Sequence, residues 1–358
     1  MRKKAISMIL AAALGSALLA GCSSAPKETT AAATTAETTA EEKKEESKAE
    51  ETKAEEKKEE AAGNDMLSGE TGDIAKAGDG KGQKVVLITI DSMDQHWVNM
   101  DKGCKKAAEE LGCDYKWIAP DVKDDAKQIE CVNNAVAGGY DAIMVAANGP
   151  DAISSALQEA KDQGIKIVYV DSPANVEAEA TFSTDNKAAG TTAGEEMKKA
   201  LEDAGITSGK IGIINVNAAT DSCVNREEGF RAAFDGTDFE IMETQYGEGD
   251  AAKSQSIAEN YITQGVVGIF GCNEGSTTGA GNAIKAAGNA DIIGVGFDKS
   301  DAILNLIDDG YLLCTMAQNP DVMGSEGVKA AVKAINGEEL GGEVTDTGVS
   351  VITKDSDK

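Results

Sequence analysis

Six short polar clusters carry the chemistry open to this chain, and each follows an apolar run. They are Asp91-Ser92-Met93-Asp94-Gln95-His96-Trp97, Asp171-Ser172, Asn217 to Asp221, Asn273-Glu274, Phe297-Asp298 and Gln318-Asn319. Carboxylates, amides and guanidinium groups are fixed planar donors and acceptors that engage vicinal hydroxyls two at a time. An indole such as Trp97 offers a flat apolar face to the C–H side of a ring. Taken singly, each Asp or Asn reads as a turn residue or helix N-cap. Together, at the ends of six apolar runs, they have the composition of a site for a small polyhydroxylated molecule.

The same inventory leaves little for catalysis. The chain has one histidine, His96, too few for a Ser-His-Asp arrangement or a histidine metal cluster. His96 beside Asp94 forms an acid/base pair on paper, and a hydrogen-bonding or surface imidazole is the plainer reading. Gly275, Gly279 and Gly281 open a helix after a strand but lack the spacing of a dinucleotide cradle. No D-x-D-x-D-G calcium loop occurs. Neither catalytic residues nor a metal or cofactor are expected. Cys104, Cys113, Cys131, Cys223, Cys272 and Cys314 form no C-x-x-C pair. Small buried thiols are the expectation, with oxidation within the Cys104, Cys113, Cys131 group as the alternative.

The elements that must position the polar clusters alternate strand and helix. The β-branched run 85–90 reads as a strand buried on both faces. Trp97, Met100, Cys104, Ala107, Ala108 and Leu111 then recur at helical spacing, and Gly112 closes that helix. Further strands are expected at 141–146, 165–170, 210–216, 238–244, 266–271, 291–297 and 312–317. Helices are expected over 151–163, 186–204, 223–235, 251–264, 275–287 and 300–309. Such alternation means right-handed βαβ units and parallel sheets. The expected fold is α/β, with two Rossmann-like lobes of about six strands each. In open parallel sheets ligands bind beyond the carboxyl ends of the strands, where the polar clusters lie.

The N-terminal region sets location. Arg2, Lys3 and Lys4 precede an apolar run from Ala5 to Leu19, the layout of a secretory signal. That run is shorter than the roughly 20 residues that span a bilayer. Leu19-Ala20-Gly21-Cys22 resembles the lipobox of bacterial lipoproteins, which implies lipidation at Cys22 and a membrane anchor. Residues 23–62 contain no aromatic residue and no Val, Ile or Leu, so they are expected to be a disordered spacer. A Gly-rich linker extends it to 83. The chain of 358 residues carries a formal net charge of −28, which argues against nucleic-acid partners and against a direct grip on anionic lipid.

From 84 to 353 the chain resembles the ribose-binding-protein-like solute receptors of ABC transporters. The sharpest motifs are Val295-Gly296-Phe297-Asp298 and Met316-Ala317-Gln318-Asn319-Pro320. Ser183-Thr184-Asp185-Asn186 with Gly190, Arg226-Glu227-Glu228-Gly229-Phe230 and Phe270-Gly271-Cys272-Asn273-Glu274 agree with them. The resemblance implies a type I periplasmic binding protein fold with a three-stranded hinge. Lobe one would be 84–184 plus 319–345, and lobe two 185–318 plus 346–358. It further implies a ligand cleft lined by Asp94, His96, Trp97, Asp171, Asn273, Asp298 and Gln318, with Phe297 beside it.

The chain departs from that family's pattern at several of these positions. Ser172 stands where ribose receptors carry an Arg, and their sugar-binding Arg aligns with Val224. Arg226 is therefore either a contact or a structural helix residue, with Asp221 and Asn225 as alternative contacts. One stacking ring is replaced by His96, and another aromatic position is Gly249. These departures point away from ribose itself and toward another neutral pentose, hexose, inositol or furanose. Asp91, Asp94, Asp171 and Asp298 disfavour an anionic sugar. The implied role is a monomeric, lipid-anchored extracytoplasmic receptor that closes on its ligand and delivers it to an ABC permease. The alternative is a sensory receptor for a sugar or an autoinducer-2-like furanose, signalling to a membrane kinase or chemoreceptor.

Overall fold

A computed structural model of the chain describes residues 79–289 and 291–357. The signal, the lipobox with Cys22 and the spacer up to residue 78 lie outside the described residues. Two sheets with flanking helices make two lobes. In the first lobe β1 (Lys84–Ile88), β2 (Asp114–Ile118), β3 (Ala142–Val145), β4 (Lys166–Val170), β5 (Ala180–Ser183) and β12 (Glu343–Asp346) form a parallel sheet. Its strand order is β12-β5-β4-β3-β1-β2. The second sheet runs β13-β11-β10-β9-β6-β7, with β8 also paired to β6. Its strands are β6 (Ser208–Asn215), β7 (Asp238–Ile241), β8 (Gln245–Tyr246), β9 (Val266–Gly271), β10 (Ile293–Phe297), β11 (Cys314–Gln318) and β13 (Val349–Thr353). Only β13 is antiparallel to its neighbour, because the chain enters it straight from the other lobe.

The buried runs expected as strands are central strands. Val85, Val86, Leu87 and Ile88 are all fully buried, as are Ala142 to Val145. The edge strand β2 (Asp-Tyr-Lys-Trp-Ile) is exposed or half-buried along its length, so it carries no continuous apolar run and escapes sequence reading. Of the strand expected over 238–244 only β7, 238–241, forms, and β8 follows beyond it at 245–246.

Both lobes have helices packed at backbone distance. In the first, α1 (Gln95–Leu111) crosses α9 (Pro320–Ile335) at Gly103, where a Cβ would lie 2.0 Å from the Asp321 carbonyl oxygen. In the second, α4 (Asn186–Asp203) crosses α5 (Asp221–Ala232) at Gly190, where a Cβ would lie 2.1 Å from the Arg226 carbonyl oxygen. The remaining helices are α2 (Asp125–Ala137), α3 (Pro150–Asp162), α6 (Ala251–Thr263), α7 (Glu274–Ala287) and α8 (Asp301–Asp308). No helix among the described residues is long and apolar enough to cross a membrane.

The chain passes between lobes after β5, after β11 and after β12. These three crossings are laced together. Thr184 Oγ1 donates to Gln318 Oε1 at 2.9 Å, Asn319 Nδ2 to the Thr347 carbonyl at 2.8 Å, and Thr347 N to the Ser183 carbonyl at 2.7 Å. The six cysteines at 104, 113, 131, 223, 272 and 314 are free thiols. Burial pushes the Cys104 and Cys314 thiols up to about 12, so they pack as small apolar side chains.

Candidate functional site: an interlobe cleft

Strand ends from both sheets face one another across the gap between the lobes. Asp171 follows β4 and Asp298 follows β10, and these strands hold matching places in the two sheets. Both residues adopt left-handed backbone, at φ 63° and 74°, a conformation that costs an L-residue about 1 kcal/mol or more. The strain is held identically in each lobe by the neighbouring strand. Asp171 N donates to the Phe182 carbonyl at 2.8 Å and Asp298 N to the Met316 carbonyl at 2.9 Å. A hydroxyl closes each turn: Ser183 Oγ donates to the Asp171 carbonyl, and Thr315 Oγ1 to the Asp298 carbonyl at 2.8 Å. The two carboxylates are thereby aimed at one point.

His96 occupies that point. Its Nε2 lies 3.0 Å from Asp171 Oδ2, off the line of a hydrogen bond, and its Nδ1 lies 3.5 Å from Asp298 Oδ1. Burial works against a charged imidazole, but the two carboxylates outweigh it and hold His96 up to about 10. In return, Asp298 is held down to about 2 although burial pulls it upward, with His96 and Arg226 supplying the opposing charge. Gln318 Nε2 and the backbone N of Glu274 add hydrogen bonds to Asp298 at 2.6 and 2.8 Å.

The β1–α1 turn builds the floor. Asp91 Oδ1 accepts from Met93 N at 2.6 Å, and Asp91 Oδ2 accepts from Trp97 Nε1 at 3.2 Å, which fixes the indole against the cavity. Asp94 is the N-cap of α1, but its side chain accepts no cap hydrogen bond. It faces Lys123 Nζ at 3.2 Å and Asn273 Nδ2 at 3.4 Å instead. Lys123 also bonds Asp91. Burial raises Asp94 to about 6 despite Lys123. Glu274 accepts from the backbone N of His96 at 3.1 Å. Burial and then the Asp94 charge raise Glu274 to about 7.

Arg226 is buried among Nε–Asn186 Oδ1 (2.8 Å), Nη1–Cys272 carbonyl (3.0 Å) and the Phe297 ring, 4.2 Å below the guanidinium. Its Nη2 stands 3.9 Å from Asp171 Oδ2 with no hydrogen-bond partner. Arg226 thus both braces the second lobe and presents a free buried donor to the cleft.

The cavity is walled by Asp94, His96, Trp97, Asp171, Arg226, Asn273, Asp298 and Gln318 among the residues expected from sequence. Ser172, Asp221, Asn225 and Phe297 are not on its wall. Ser172 Oγ accepts from Ser222 N at 3.3 Å. Asp221 and Asn225 lie one turn apart on α5 and bond each other at 2.9 Å, because that helix starts at Asp221 and turns them away. Phe297 is fully buried in the second lobe's core, since alternate strand residues face opposite sides. Missed by sequence reading were Lys123 and Ser222 on the wall; Thr220 on the wall and Glu274 behind it fell within the polar clusters without being singled out. The enclosed space is about 20 Å³, of the order of one water molecule. Among the described residues no group of three or more His, Cys, Asp or Glu is placed to hold a metal.

Two α/β lobes joined by three crossings, with strand-end acids and amides meeting at a cavity between them, are the architecture of a two-lobed binding protein. A family model described as "Periplasmic binding protein domain" matches residues 85–339. The chain belongs to this periplasmic binding protein family, in its ribose-binding-like, type I group. It is similar to the ribose import binding protein of Haemophilus influenzae, with 28% identity over 272 residues covering 75% of this chain and 91% of that protein. It is also similar to the D-apiose import binding protein of Paraburkholderia graminis, at 27% identity covering 72% and 82%. Among solved structures, a solute-binding protein from Agrobacterium vitis with bound D-fucose is 31% identical at a TM-score of 0.71, covering 76% of this chain and 95% of that one. A carbohydrate transporter solute-binding protein from Agrobacterium radiobacter in complex with D-arabinose is 27% identical at 0.73, covering 76% and 94%. These relatives are binding proteins of transport systems, and the chain is a binding protein rather than an enzyme.

Proposed function

We propose that the chain is the extracytoplasmic solute receptor of an ABC transporter, that it takes a neutral monosaccharide or polyol between its lobes, and that it delivers it to the permease. The observation that carries this reading is the convergence of His96, Asp171 and Trp97 from one lobe with Asn273, Asp298 and Arg226 from the other on a single cavity. A monosaccharide is larger than the present cavity, so it enters when the lobes part about the crossings at 183–186, 318–320 and 346–349. Its hydroxyls then replace bonds that the protein makes with itself, including the contact of Asp94 with Asn273. A ligand that touches both lobes favours the closed state by its extra affinity for that state. A lipid anchor at Cys22 would keep the receptor beside its permease and raise the effective concentration.

The test is a thermal-shift and calorimetric screen of the purified protein against D-ribose, D-arabinose, D-fucose, D-allose and myo-inositol, with a sugar phosphate and a uronate as contrasts. A ligand at a hundredfold excess over its Kd stabilises by about 2.7 kcal/mol. W97A and D298A abolish the binding of whichever neutral sugar shifts the protein, while both variants stay folded. Binding confined to the anionic members, or unchanged affinity in both variants, refutes the reading.

A further inference from the structure

We propose that Lys123 and Gly249 form a clasp across the mouth of the cleft, the lysine stem of one lobe lying in the seat that the missing side chain of Gly249 leaves in the other. This deepens the reading of a closing cleft, and its test uses no sugar, so the two fail separately.

Lys123 sits in the loop between β2 and α2, yet its side chain is only 9% exposed. Its ammonium bonds Asp91 and Asp94, both in its own lobe. Those two carboxylates fix the direction of the side chain before any contact with the second lobe is made. From there the stem runs over the loop that follows β8. A Cβ on Gly249 would lie 2.5 Å from Lys123 Cε, 2.7 Å from Nζ and 2.9 Å from Cδ, well inside contact distance. The stem therefore fits only because residue 249 has no side chain. Gly249 is also left-handed, at φ +68°, so glycine satisfies two demands at once.

The seat cannot retreat. On the far side of the same loop, the Gly249 carbonyl oxygen is pressed against α7, where a Cβ on Gly275 would come within 1.8 Å of it. Gly247 N donates to the Asn215 carbonyl at 2.8 Å and Glu248 N to the Val216 carbonyl at 3.0 Å, which ties the loop to β6. A side chain added at 249 must consequently push Lys123 away.

Topology places this contact where it has most leverage. The chain crosses between lobes at the β5/β12 edge of one sheet and the β11/β13 edge of the other. Lys123 follows β2 and Gly249 follows β8, at the opposite edges. The clasp thus closes the side of the cleft farthest from the crossings, where the lobes separate most when they part. Lys123 acts here as a positioning residue for the closed state.

The experiment is acetylation of lysines in the full chain by an N-hydroxysuccinimide ester, read residue by residue by peptide mass spectrometry, with the exposed Lys354 as internal reference. In the wild type Lys123 reacts about tenfold or more slowly than Lys354, as expected of an occluded amine. G249A and G249N both raise the Lys123 rate severalfold toward that of Lys354, the pairs with Asp91 and Asp94 retaining part of the protection, and leave other lysines unchanged. Asn tolerates left-handed backbone, so G249N blocks the seat while sparing the turn and keeps the test sound if G249A folds poorly. Wild-type Lys123 reacting as fast as Lys354 overturns the clasp. So does undiminished protection in G249N, which would assign the occlusion to Asp91 and Asp94 alone.

Discussion

Replacing His96 by Asn removes the one imidazole in the chain and leaves Asp171 and Asp298 facing each other without the charge between them. The magnitude follows from the geometry at 3.0 and 3.5 Å. His96 is lifted from 6.5 to about 10 in the folded protein. At about 1.4 kcal/mol for each unit of pH, that lift is worth about 5 kcal/mol of stability as an upper bound. The sign is fixed by the folded value lying above the unfolded one: the contribution is complete below about 6.5 and is lost as pH rises through about 10. Urea unfolding of wild type and H96N should therefore show their largest difference at pH 6.5 and below. The difference should narrow by about 1.4 kcal/mol per pH unit toward pH 10. Because no other histidine is present, nitrogen-15 NMR of the side chain reports this group alone and should find it charged at pH 8. A stability difference that stays constant between pH 6.5 and 10, or an imidazole that titrates near its ordinary value, refutes the assignment.

Two other outcomes follow from the same structure. Gly103→Ala forces a Cβ onto the Asp321 carbonyl at the α1–α9 crossing and should cost about 1–3 kcal/mol or more in urea unfolding; a loss below about 0.5 kcal/mol would show that the helices shift apart freely. Asp94 and Glu274 are raised from 3.8 to about 6 and from 4.5 to about 7, so the unfolded chain ionises them first and stability falls as pH rises from about 4 to about 7 before levelling. The double variant D94N/E274Q should flatten that fall, and an unchanged slope would count against the two buried carboxyls.

Much of the site was legible because parallel α/β sheets confine binding groups to the carboxyl ends of strands. Asp171, Asn273, Asp298 and Gln318 could be found by locating apolar runs and reading the next residues. Lys123 could not. It lies in a polar loop after an edge strand, and a lysine there is ordinarily solvated; here Asp91 and Asp94 hold its ammonium, and its stem runs against the opposite lobe's Gly249, 126 positions along the chain. Phe297 and Asp221 show the converse limit. Both adjoin cleft residues in sequence, but strand alternation sends Phe297 into the core and an earlier helix start swings Asp221 onto Asn225.

The sequence by itself determined the α/β alternation, the two-sheet organisation and the chemical character of the cleft, since these depend on local periodicity and on residue type. Tertiary structure alone decided which charges meet. His96 between Asp171 and Asp298, Lys123 upon Gly249, and the unpartnered nitrogen of Arg226 all arise from contacts between distant segments. Their energetics come from burial, which strips water from each group and makes its partner's distance decisive.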